Sequence, residues 1–79
     1  MAKIPFYGRN LEFEDKFLSH YEKTFCSPLR QSIEHYLLVS LGDLNIPELL
    51  KTMSDDEIVS IVTSAVKKDL IMYGTPYQE

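Results

Sequence analysis

Four groups of side chains carry the chemistry this sequence offers: His20, His35, the lone Cys26, and the run Asp55-Asp56-Glu57. A metal site on a helix needs ligands three or four residues apart, so that they share one face. Around His20 those positions hold Lys16, Phe17, Lys23 and Thr24; around His35 they hold Gln31, Ser32, Leu38 and Val39. None is a good second ligand, and both histidines read as solvent-facing or packing residues. No metal and no cofactor is expected.

Cys26 becomes a nucleophile only if a neighbouring imidazole or a helix N-terminus lowers its pKa. It precedes Ser27-Pro28, a helix-start signal, which would favour a thiolate. The plainer reading is a small buried residue in a turn between helices. Asp55-Asp56-Glu57 is the densest charge in the chain. Consecutive helical residues point in different directions and chelate poorly. Carboxylates in a first helical turn are expected there anyway, because they oppose the positive end of the helix dipole.

The glycines are three and isolated, so no phosphate-cradling loop is present. No Gly-x-Ser-x-Gly motif occurs. With 79 residues, little chain is left to enclose a pocket of ~300–1,000 Å³. The chain is therefore read as a non-enzyme.

Composition sets further bounds. Hydrophobic residues make up 44% and charged residues 25%, as in ordinary folded domains. The chain reads as a single small helical domain over 1–79, with extended or frayed tails at 1–9 and 74–79. At ~0.05–0.15 kcal/mol per residue its stability should be about 4–12 kcal/mol. Net charge is −4, and Lys67-Lys68 is the one basic cluster, followed by Asp69. An acidic surface repels phosphate backbones, so nucleic acid and anionic membranes are disfavoured partners. One cysteine cannot staple a secreted domain. The start, Met1-Ala2-Lys3-Ile4-Pro5, lacks a signal-peptide apolar core. The longest apolar run, Tyr36-Leu37-Leu38-Val39, is far too short to span a bilayer. A cytoplasmic setting is expected.

Apolar spacing predicts the elements that hold these groups. Phe13, Phe17, Tyr21 and Phe25 recur every four residues, which predicts a helix from about Leu11 to Phe25 capped by Asn10. A second helix is predicted from Pro28 to Leu41, capped by Ser27 and ended by Gly42. A short third runs from about Ile46 to Met53 behind Asn45. The fourth, Asp55 to Met72, opens on Ser54-Asp55-Asp56-Glu57, a Ser-x-x-Glu capping box. Its stretch Glu57 to Val66, rich in β-branched residues, would also suit a buried strand, but no other segment reads as a partner strand. The expected fold class is all-α: a compact bundle of three longer helices plus one short helix. Phe13, Phe17, Leu18, Tyr21, Leu29, Ile33, Leu37, Leu41, Leu49, Leu50, Ile58, Val59, Val62 and Val66 are its expected core.

By subtraction, the sequence favours a small acidic protein-interaction module, a regulator, adaptor or inhibitor of a larger protein. Its partner would be a protein with a basic surface to meet Asp55, Asp56 and Glu57, or a second copy of the chain. The contact residues it indicates are those three carboxylates with Tyr7, Tyr73 and Tyr77, since tyrosine is enriched at interfaces. The alternative is a helix-turn-helix DNA-binding transcription regulator, for which the third and fourth helices have suitable lengths. Against it, the end of a recognition helix that enters the groove would here carry three carboxylates.

Overall fold

The computed structural model describes residues 1–78. Its chain order is β1 (Ala2–Phe6), β2 (Arg9–Phe13), α1 (Asp15–Phe25), a 3₁₀ turn (Leu29–Gln31), α2 (Ile33–Leu41), α3 (Ile46–Thr52) and α4 (Asp55–Met72). The structure is 62% helical with a two-stranded antiparallel sheet, so the all-α expectation is corrected to a mixed fold.

The segment read as a tail is a strand. Ile4 and Phe6 on β1, and Leu11 and Phe13 on β2, alternate with exposed neighbours and point to one face. Tyr7 and Gly8 join the strands with φ of 47° and 81°, the two positive values of a tight hairpin turn. Phe6 faces Arg9, Pro5 faces Asn10 and Ile4 faces Leu11. In such a ladder every second pair lacks hydrogen bonds. Pro5 occupies one of those pairs, next to the turn, where its missing N–H removes nothing. Phe13 also stands four residues before Phe17, in phase with the aromatic stripe of α1. That coincidence extended the first predicted helix backward across β2.

The other departures are local. The capping residue of α1 is Glu14, not Asn10, which pairs in the sheet. Pro28 and Ser32 bracket a 3₁₀ turn, so α2 starts five residues later than its spacing suggested. Gly42 ends α2 at φ 78°, as expected of a residue without a Cβ. Asn45 caps α3, accepting from the Glu48 N–H at 3.3 Å. The bounds of α4 and its capping box are as read from the sequence.

α4 is the central element. It packs against β2, α2 and α1. Ile58, Val62, Val66 and Leu70, spaced by four, are all fully buried. The core also takes in Ile4, Phe6, Leu11, Tyr36 and Leu70, which were not on the expected list. Leu18, Leu50 and Val59 sit at its margin, and Leu41 is exposed.

Candidate functional site

The acidic turn is built by Ser54. Its Oγ accepts from the Glu57 N–H at 3.3 Å, while Glu57 Oε1 accepts from the Ser54 N–H at 3.3 Å and the Ser54 hydroxyl at 3.2 Å. The carboxylates do not act together. Asp55 pairs with Arg9 at 3.2 Å, Glu57 folds back on the cap, and Asp56 is exposed. Arg9 lies on the inward face of β2 at its first residue. Its guanidinium also donates to the carbonyl of Met53 at 2.8 Å and to that of Leu50. One cation thus closes the open end of α3 and holds the first turn of α4. Sequence reasoning missed Arg9, because its partners lie more than forty residues away.

The three tyrosines are not one site. Tyr7, at the hairpin turn, packs edge-on against Phe6 and donates to Glu34 at the start of α2. That hydrogen bond to the carboxylate is the main reason its pKa is raised. Tyr73 lies across Phe25, beyond the far end of α4, and stays 64% exposed. Tyr77 folds back on the core. Its ring meets Phe17 and His20 edge-on at 5.3 and 5.6 Å, Lys67 stands 5.8 Å over it, and its hydroxyl reaches Glu14. Asp55 and Tyr7 therefore mark the hairpin-turn end of α4, Tyr73 caps the opposite end of this 18-residue helix about 27 Å long, and Tyr77 lies along its flank beside Lys67.

Neither histidine approaches Cys26. His20 Nε2 lies 2.8 Å from the Thr75 carbonyl oxygen, and His35 stands beside Tyr36. Cys26 is exposed, which corrects the reading of a buried residue. It takes the left-handed conformation, φ 56°, at the C-terminus of α1, where its N–H donates to the Glu22 carbonyl at 2.8 Å. That is the C-terminal end of a helix, not the helix start that Ser27-Pro28 suggested. Among the described residues no three His, Cys, Asp or Glu side chains come together as metal ligands, and no helix is long and apolar enough to cross a membrane.

A concavity with exposed apolar walls lies elsewhere. A groove of about 580 Å³ runs between α2 and α4, with His35, Tyr36 and Val39 on one wall and Ile61, Lys68 and Met72 on the other. Val39 is 65% and Met72 86% exposed. Tyr36 forms the buried base. Burial, then hydrogen bonding with Tyr21 and Asp69, drives its pKa well above the ordinary tyrosine value. The sequence does hold a signal for this groove. Tyr36-Leu37-Leu38-Val39 are four consecutive apolar residues on a helix, and at 100° each they cannot all face one core. Tyr36 and Leu37 turn inward; Leu38 and Val39 remain outside. No family model, curated protein or solved structure matches this chain.

Proposed function

We propose that this chain is a protein-interaction module, which binds a larger protein in the reducing interior of the cell and regulates, adapts or inhibits it without catalysing a reaction. The observation that carries this reading is the exposed apolar surface of the α2–α4 groove, where Val39 and Met72 stand largely in water on a chain that buries most of its other large apolar residues. Exposed apolar clusters of this kind mark contact surfaces more often than scattered single residues do. The acidic first turn of α4 supplies a polar border, with Asp56 free to meet a cation on a partner.

A tagged chain incubated with lysate, treated with nuclease and washed in rising salt tests it. The expected result is a stoichiometric protein that survives nuclease and is lost from a Val39→Glu, Met72→Glu variant. Salt-sensitive retention would assign part of the binding to the carboxylates. Retention that depends wholly on nucleic acid would overturn the reading in favour of a DNA-binding regulator. The link between α3 and α4, Met53-Ser54, is short enough for such a motif, but its leading turn carries Asp55, Asp56 and Glu57.

A further inference from the structure

We propose that the α2–α4 groove receives a second copy of this chain, the two α4 helices lying antiparallel about a two-fold axis. The inference rests on the interaction reading above and names the partner.

Glu57, Ile61, Ser64, Lys68 and Ile71 follow one another at intervals of four, three, four and three. That alternation is the seam along which one helix meets another. The seam lies away from Ile58, Val62, Val66 and Leu70, which face the core. Glu57 and Lys68 are eleven residues apart, only about 20° from alignment on a helix of 3.6 residues per turn. One end of the seam is therefore acidic and the other basic, with Ile61 and Ser64 between them.

A two-fold axis passing between Ile61 and Ser64 makes this pattern its own complement. Glu57 of each copy then faces Lys68 of the other, and Ile61 faces Ser64. Ser60 and Ala65 flank the seam on either side of its middle, where their small side chains allow close approach. The charges on hand suit this pairing. Lys68 makes no ion pair among the described residues. Both bonds of Glu57 to the Ser54 cap fall on Oε1, leaving Oε2 for a partner. A uniformly basic partner helix would meet Glu57 but would set a like charge against Lys68; a second copy reversed in direction satisfies both.

Val39 and Met72 supply the apolar contact at the groove's rim, and α2 of each copy flanks the pair, giving a layer of four helices. A standard interface buries roughly 800 Å² per partner, about 15% of this chain's surface of 5212 Å². An α4 of about 27 Å, lying in a groove along its length, is of the right scale for that.

Light scattering or sedimentation of the full chain over a concentration series up to the millimolar range tests the proposal. The expected mass rises from 9.2 kDa toward twice that value. Lys68→Glu sets two carboxylates together at each end of the seam and should weaken association at least tenfold. Met72→Glu should abolish it. Glu57→Lys, which also removes the capping carboxylate and so is first checked for an intact melt, should not self-associate yet should pair with the Lys68→Glu chain when the two are mixed. A mass of 9.2 kDa at every concentration overturns the pairing; a larger protein captured through Val39 and Met72 would then still uphold the interaction reading. A dimer indifferent to both Lys68→Glu and Met72→Glu overturns the groove as its seat. A dimer that obeys the charge exchange supports the pairing even if no larger protein is captured, in which case the regulator reading fails alone.

Discussion

Along α4, Ile58, Val62, Val66 and Leu70 lose all contact with water, whereas Ser60, Ser64 and Met72 on the outer side keep it. The inner face is β-branched or leucine, closed by the hairpin's Leu11 and Phe13 and by Ile33 and Leu37 of α2. The outer face mixes the short polar Ser60 and Ser64 with the exposed apolar Ile71 and Met72. The inner face specifies how this chain folds. The outer face is where selection for something other than folding would act, since a residue exposed in the native state adds little to stability.

Substitutions ranked by expected effect sharpen that contrast. Leu11→Ala should be most damaging, because it opens a cavity between β2 and α4. A loss of about 2–5 kcal/mol is expected in urea unfolding, a large share of the total. Equality with the parent would show that the hairpin does not belong to the cooperative core. Arg9→Ala should follow at about 1–3 kcal/mol, since it strips a donor from the Leu50 and Met53 carbonyls. Its ion pair with Asp55 contributes little, because Asp55 is 47% exposed. Asp55→Asn should therefore melt within about 0.5 kcal/mol of the parent, and a larger loss would move the weight from the carbonyls to the ion pair. Gly8→Ala forces a Cβ into a left-handed turn position, for about 1 kcal/mol.

A pH series separates the buried base of the groove from its rim. The folded state holds the Tyr36 pKa above the ordinary value of 10.0, so it favours the neutral phenol. The associated stability is complete below pH 10 and is lost as pH rises beyond it. Unfolding midpoints should fall from about pH 10 upward, and less steeply in Tyr36→Phe. Parallel slopes in the two proteins would place the titration elsewhere. Smallest of all should be Met72→Ser in dilute protein, within about 0.5 kcal/mol, because this side chain is 86% exposed.

What could be read in advance divides along the same line. α4 was legible to the residue because its start is local chemistry: Ser54 and Glu57 find each other three positions apart whatever the rest of the chain does. α3 was legible through Asn45, and the end of α2 through Gly42, for the same reason. The hairpin was not, although Ile4, Phe6, Leu11 and Phe13 do alternate. Phe13 fits both a strand of period two and an aromatic stripe of period four, and the longer pattern prevailed. Tyr7-Gly8 is also a weaker turn signal than Asn-Gly would be. Arg9 and the groove escaped because each depends on where distant elements come to rest. The acidic run and the tyrosines were conspicuous by type, yet the fold does not gather them into one site and gives Asp55, Glu57, Tyr7 and Tyr77 partners within the chain.

The packing of β2 against α4 also has a bearing on how this protein is made. A two-stranded hairpin is marginal by itself, and its apolar face finds cover only when a helix beginning some forty residues later arrives. At roughly 5–20 residues per second, translation leaves Ile4, Phe6, Leu11 and Phe13 waiting for about 2–8 s. During that interval the nascent chain presents two sticky, unpaired strand edges to its surroundings. A stalled or prematurely terminated product lacking α4 should therefore be bound by chaperones or cleared by proteases, and quality control would read the last helix as the signal that the first hairpin is safe.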